Sequence, residues 1–336
     1  MPNSIKILIR LDAYPEIGFG HLIRCLALAQ ALEQQGVNIY FTGQLCQKAK
    51  GLLASYSVIP FANEAIANEA LAIESAKQFD GVILDSYQLT AQQIAAYHQV
   101  SVSLLLDDED NRGPLSASIL TNPVAGKAYP DFVGVKLLGS SFAILRQQFC
   151  LTPFADIAAR ERMLVMMGAS DVASLTLPVC QLLHAWGYGP LLDVIIGPAV
   201  ANADEIINWC QQHKVQYFQN VENMAQRMQQ CHFAITAAGG SLFELAKAGI
   251  PCFAYAVAPN QLPAVEQGKE QGWLDFQLVE DAKQIDPLKL QSWLDSTLSH
   301  PAKLRQLSQV ATDAVDGLGA KRVATLLIEQ ILAAKS

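Results

Sequence analysis

Short β-branched runs alternate with stretches of helical spacing, and the alternation occurs twice along the chain. Ile5–Ile9, Val37–Phe41, Gly81–Asp85 and Val102–Leu106 are apolar runs of strand length. Between them, Leu22–Leu32, Leu45–Tyr56, Glu64–Phe79 and Ala91–His98 carry apolar residues at helical spacing. Further strands are expected at Ser57–Phe61 and near Ile119 and Val135. The pattern restarts with strands at Met163–Met167, Leu192–Ile196, Val215–Phe218, Phe233–Thr236 and Pro251–Tyr255. Helices are expected between them at Leu175–Trp186, Asp204–Gln212, Glu222–Gln230 and Ser241–Ala248. From Gln261 to the end only helices are expected. Such alternation closes as parallel strands joined by right-handed crossovers, so the fold class is α/β with two doubly wound halves. The halves are expected at 1–150 and 151–336. The boundary lies in the segment 139–161, which carries Pro153 and leads into Arg160-Glu161-Arg162.

The chain of 336 residues is long enough for two real cores, and 51% hydrophobic against 16% charged residues marks it as globular. A net charge of −8 without a basic cluster argues against a nucleic-acid or anionic-membrane partner. It does not argue against a phosphate ligand, which a helix start holds without much positive charge. Seven scattered cysteines without a CxxC pair fit reduced thiols in a cytoplasm. Arg10 and Asp12 interrupt the first apolar run too early for a signal peptide, and no stretch is long enough to span a bilayer.

Ligands on doubly wound sheets bind beyond the carboxyl ends of the strands. His21, Tyr87 and Asp107 all fall at such ends. Pro15 and two close glycines end the first strand, and Gly18-Phe19-Gly20-His21-Leu22-Ile23 then begins like a dinucleotide fingerprint. Ile23 stands where the third glycine belongs, so the NAD signal is weak. His21 sits at a helix start, where the dipole disfavours the imidazolium and leaves a neutral ring able to accept a proton. A helix-capping histidine without chemistry fits the same position, and the two readings stand even. In Thr236-Ala237-Ala238-Gly239-Gly240-Ser241-Leu242-Phe243-Glu244, bare N–H groups and a hydroxyl at a helix start suit a diphosphate. Glu244, one turn in, can accept from a ribose diol. Ser241 and Glu244 also have capping-box spacing. With Gly239-Gly240 before them and Asn260-Gln261 after the next strand, the ligand reading is favoured. Gly168-Ala169-Ser170-Asp171 is a third strand-end loop suited to phosphate. Asp107-Asp108-Glu109-Asp110 contains Asp-x-Asp spacing but reads as a solvated loop rather than a metal site. Neither a Walker loop, an HExxH nor a Gly-x-Ser-x-Gly elbow is present, and no metal or cofactor is expected. His98, His184, His213 and His300 are expected at the surface, and His232 in a structural role.

Taken in order, these motifs resemble the UDP-sugar hydrolases of pseudaminic acid biosynthesis. That family is related to spore-coat polysaccharide proteins and, more distantly, to the lipid-II-forming MurG glycosyltransferase. The resemblance covers almost the whole chain. It rests on Arg10-Leu11-Asp12-Ala13 with Ile17–Leu26, on Asp85-Ser86-Tyr87, and on Leu105-Leu106-Asp107-Asp108. It continues in Leu137-Leu138-Gly139 with Leu145-Arg146, Gly168–Asp171, Ala238–Glu244 and Asn260-Gln261. Ala169 departs from the family, which usually has a second glycine there. The resemblance implies two Rossmann-like domains of GT-B type with the active site in the cleft between them. It implies a monomer that cleaves UDP-2,4-diacetamido-2,4,6-trideoxy-β-L-altropyranose with water, inverting at the anomeric carbon and without a metal. His21 would be the base. Gly20, Tyr87 and Asn260 would lie at the sugar, and Ser170, Gly239, Gly240, Ser241 and Glu244 at UDP. A glycosyltransferase of the same fold and a non-catalytic nucleotide-sugar binder remain alternatives.

Overall fold

Each half of the chain builds a parallel sheet whose strand order turns back at its first strand. A computed structural model describes residues 4–14, 17–61, 65–124 and 129–336. Pro15, expected to break the first strand, and Glu64, expected to open the third helix, lie outside the described residues. The first half runs β1 (Lys6–Leu11), α1 (Gly20–Glu33), β2 (Asn38–Thr42), α2 (Gln47–Leu52), β3 (Ser57–Val58) and α3 (Ala65–Ala76). It continues with β4 (Gly81–Asp85), α4 (Ala91–Val100), β5 (Val102–Leu106), β6 (Ile119–Asn122) and β7 (Val135–Leu138). The strand order is β3-β2-β1-β4-β5-β6-β7, parallel throughout. Ile7, Leu8, Ile9 and Leu11 are all fully buried, as expected of a parallel strand covered on both faces.

After the short α5 (Gln147–Leu151), the second half runs β8 (Arg162–Met166), α6 (Thr176–Ala185), β9 (Leu192–Ile196), α7 (Ala203–His213), β10 (Gln216–Gln219) and α8 (Met224–Met228). Next come β11 (Cys231–Ala237), α9 (Ser241–Lys247), β12 (Cys252–Ala256), α10 (Leu262–Gln271) and β13 (Leu274–Leu278). Three helices close the chain, α11 (Pro287–Leu298), α12 (Pro301–Ala314) and α13 (Gly319–Lys335). The order in this sheet is β10-β9-β8-β11-β12-β13. The order therefore reverses between β1 and β4 in one sheet and between β8 and β11 in the other. Those reversals open the crevices where doubly wound sheets take ligands.

Two features differ from the sequence expectation. β13 is a strand where only helices were expected. Leu274-Asp275-Phe276-Gln277-Leu278 alternates apolar and polar, the pattern of a half-buried edge strand, and it pairs in parallel with β12. The second is the path of the C-terminus. One compact unit comprises the chain up to Gln147 together with Gly317–Ser336, and the other Gln148–Asp316. The final helix thus belongs with the first half and not, as expected, with the second. Its stripe Ala320, Val323, Ala324, Leu327 and Ile331 is buried, each large member contributing about 1.5–3 kcal/mol on transfer from water. Gly81 on β4 makes the approach possible, because a Cβ there would lie 2.6 Å from Ile331 Cδ1. Among the described residues no helix is long and apolar enough to cross a membrane.

Candidate active site

The crevice of the first sheet is organised by two buried ionic networks. In the first, Arg10 on β1 is 3% exposed. Its Nε and Nη2 donate to Glu69 at 2.7–3.1 Å, and its Nη1 donates to Asp12 Oδ1 at 2.6 Å. Asp12 also accepts from the Gln44 N–H at 2.8 Å and from the Ser86 hydroxyl at 2.5 Å. Tyr97 OH completes the set by donating to Glu69 at 2.5 Å. The Arg10-Leu11-Asp12 motif is therefore a brace that ties the end of β1 to the end of β4. Each buried charge has an opposite partner, the condition for tolerating such a group away from water.

The second network holds His21. Phe19 is the N-cap of α1 and no side chain caps the helix, so His21 does not cap it; its ring turns to the end of β4. His21 Nδ1 lies 2.5 Å from Asp85 Oδ1. Arg24, one turn along α1, donates Nη2 to the same oxygen at 2.5 Å and Nε to Asp85 Oδ2 at 2.7 Å. The Cys25 thiol lies 3.3 Å from Oδ2. Asp85 is fully buried. Burial by itself disfavours its charge, but Arg24 and His21 outweigh that and hold the carboxyl well below the usual carboxylate range. A lone pair on Nδ1 would face a carboxylate at 2.5 Å, so Nδ1 carries the ring proton and Nε2 is left as the acceptor. The guanidinium of Arg24, 3.1 Å from Nδ1, adds a positive charge to that of the helix start beside the ring.

Tyr87, 38% exposed, meets the His21 ring edge to face with centroids 4.5 Å apart. Its hydroxyl donates to Asp108 Oδ2 at 2.9 Å, and burial, with Asp108 next, raises the phenol far above its ordinary pKa. Asp108 also takes Arg24 Nη1 at 2.8–2.9 Å. Asp107 is 1% exposed and pairs with Arg112, whose Nη1 also reaches the Ser86 and Leu89 carbonyls. The acidic run expected as a solvated loop is therefore in part an internal brace: two of its carboxylates are engaged by arginines. Among the described residues no cluster of three or more His, Cys, Asp or Glu has the geometry of a metal site.

In the second sheet, the loops after β8 and β11 flank the reversal. After β11, Gly240 is the N-cap of α9 and no side-chain hydrogen bond caps it. Ser241 is thus the first helical residue, and the capping box that its spacing with Glu244 suggested is not formed. The main-chain N–H groups of Gly239, Gly240 and Ser241 donate to no described residue. Space beside both glycines is open. Glu244 is buried at 8% exposure on the first turn. Asn260 is exposed in the 3-10 turn Pro259–Gln261 beyond β12. After β8 the situation is different. Asp171 accepts from the Leu175 and Thr176 N–H groups at 2.8 and 2.9 Å, so the start of α6 is already occupied by its own carboxylate. Ser170 keeps a half-buried place in that loop. Gly197 holds the loop down, since a Cβ there would sit 2.3 Å from the Gly168 carbonyl oxygen.

Of the remaining histidines, His98 shares a hydrogen bond with Ser103 at 3.0 Å, and His184 and His213 stack with Trp209. His98 is exposed, as expected, whereas His184 and His213 are half-buried against Trp209 rather than free at the surface. From sequence, His21 and Tyr87 were expected at the site and Asp108 only in a solvated acidic loop, while Arg24 had no assigned role. The usable signal for Arg24 was its i+3 spacing from His21 on one helix face.

No family model matches this sequence. An uncharacterized protein of Methanocaldococcus jannaschii is 27% identical over 270 residues, 74% of this chain and 54% of that protein. The chain thus spans about half the length of that relative. The UDP-2,4-diacetamido-2,4,6-trideoxy-beta-L-altropyranose hydrolase of Campylobacter jejuni is 23% identical over 263 residues, 75% of this chain and 92% of that enzyme. Among solved structures, Acinetobacter baumannii MurG matches with a TM-score of 0.68 at 14% identity, over 97% of this chain and 100% of that one. Anabaena HepE, solved in complex with UDP-glucose, matches with a TM-score of 0.60 at 14% identity, over 97% and 100%. At such identities the structural likeness establishes the fold alone: two α/β domains with parallel sheets, of the MurG-like GT-B type.

Proposed function

We propose that the protein is a UDP-sugar hydrolase acting on UDP-2,4-diacetamido-2,4,6-trideoxy-β-L-altropyranose, with water as the acceptor. The observation that carries the reading is the His21–Asp85 pair at the reversal of the first sheet. A buried carboxylate holds the proton on Nδ1, and Nε2 is left to take one from water. The similarity to the Campylobacter jejuni hydrolase supports the substrate class and the use of water. Water attacks the anomeric carbon as His21 Nε2 accepts its proton. The bond from that carbon to the β-phosphate oxygen breaks, its electron pair leaves with UDP, and the sugar is released with inverted configuration. Asp85 stabilises the imidazolium that forms.

The second unit is assigned the nucleotide. The undonated N–H groups at Gly239, Gly240 and Ser241 suit the diphosphate, whose charge grows as the bond breaks. Glu244 is assigned the ribose, and Ser170 a hydroxyl contact to phosphate without help from the start of α6. Gly20, Tyr87 and Asn260 are assigned the sugar. The reaction needs no metal in this reading, because UDP is already a good leaving group and the acidic-run carboxylates Asp107 and Asp108 are engaged by arginines. The enzyme is taken to work as a monomer in the cytoplasm.

Incubation with the purified UDP-sugar separates the readings. Release of UDP and free sugar in water alone, undiminished by EDTA, is expected. Release only with an added acceptor would make the protein a glycosyltransferase, and binding without turnover would make it a carrier. Loss on chelation with recovery on adding magnesium would overturn the metal-free mechanism.

A further inference from the structure

Five side chains from three segments, His21 among them, close a ring of contacts. His21 Nδ1 meets Asp85 at the end of β4, and Asp85 takes two nitrogens of Arg24 from α1. The third guanidinium nitrogen takes both oxygens of Asp108 beyond β5. Asp108 accepts from the hydroxyl of Tyr87 beyond β4, and the Tyr87 ring returns to His21 edge to face. We propose that Arg24 is the positioning residue of this site, fixing with one edge of its fork the carboxylate that orients His21 and with the other the Asp108–Tyr87 pair that walls the ring. The proposal rests on the reading of His21 as the base.

The geometry asks for arginine in particular. A planar fork presents donors along two edges at once, and an ammonium cannot reach both carboxylates in fixed directions. Asp85 is fully buried, whereas Arg24 keeps 22% of its side chain exposed. Without Arg24, the carboxylate retains, among the described residues, the His21 ring and the Cys25 thiol and is no longer held in one orientation. Tyr87 would keep its bond to Asp108, but that carboxylate would no longer be fixed by Arg24, so the wall beside the ring would loosen. Its hydroxyl is already donated to Asp108, so Tyr87 shapes the wall and orders the ring, while the proton acceptor is Nε2. Arg24 itself touches no reacting atom in this assignment.

Long-range proton–nitrogen correlation spectra of the 15N-labelled protein read the tautomer of the neutral His21 ring directly, with His21→Asn providing the assignment. The wild type is expected to show a single form with the proton on Nδ1. In Arg24→Gln the ring should populate both tautomers, and kcat should fall about 10–100-fold, the scale on which partners that orient a reacting group act. UDP affinity should stay within about twofold, which a general loss of structure would not allow. Arg24→Lys, with the charge but not the fork, should remain mixed. A single Nδ1–H form and wild-type kcat in Arg24→Gln would overturn the proposal. Should that variant not fold, Asp108→Asn cuts only the outer arm, and wild-type kcat there would overturn it equally. The tautomer measurement needs no substrate. A protein that released no UDP yet showed an Arg24-dependent tautomer would refute the hydrolase reading and leave the positioning role standing.

Discussion

Asp85 is fully buried and accepts bonds from His21 and Arg24, and this gives it a measurable signature in acid. Burial alone would raise its pKa, but Arg24 and His21 depress it. A carboxyl depressed in the folded state contributes stability that is fully present above the unfolded value of about 3.9 and is lost as the pH falls below it toward the folded value. Acid unfolding followed by circular dichroism should therefore show the wild type losing stability progressively below about pH 4. Asp85→Asn should start less stable and depend less steeply on pH over that range; parallel curves would contradict the assignment. At this scale the place of His21 at a helix start was legible from sequence, because a glycine-bounded helix start announces itself locally. Its partners were not, because Arg24 reaches Asp85 and Asp108 across 61 and 84 positions. Spacing along one helix says nothing about which strand end it will face.

The two helix starts beside the reversal of the second sheet look alike in sequence and differ in structure. At α6 the Asp171 carboxylate takes the N–H groups, whereas at α9 the N-cap is Gly240 and no side chain intervenes. Asp171 was the readable signal, since an acidic residue just ahead of a helix is a common capper. The Ser241–Glu244 spacing pointed the wrong way, because the helix begins one residue earlier than a capping box needs. If Glu244 holds the ribose, Glu244→Ala should weaken UDP binding by about 1.5–3 kcal/mol, the range for a hydrogen bond to a charged group. The folded state should lose less, roughly 0.3–1 kcal/mol for an acidic residue in a first helical turn. Calorimetric titration with UDP and thermal unfolding of the same variant check both; an unchanged UDP affinity would remove Glu244 from the nucleotide site. β13 was missed for a different reason. Its alternation was present, but an edge strand after a helix carries only half the apolar signal of a central one.

For the whole molecule, the doubled alternation of strands and helices was enough to read two doubly wound halves. It was not enough to trace the last helix. The stripe of α13 states that one face is buried but not which sheet it covers, and Gly81, which admits Ile331, lies 250 residues away in the other half of the sequence. In the proposed reaction the base belongs to the first unit and the nucleotide to the second. Turnover and UDP affinity of His21→Asn test that division together. Asparagine keeps a hydrogen-bonding group but cannot take the proton from water. Loss of a general base costs about 10²–10⁴ in rate, so kcat for UDP release should fall by that order while UDP binds as in the wild type. Near-wild-type turnover by His21→Asn would contradict the account at its centre.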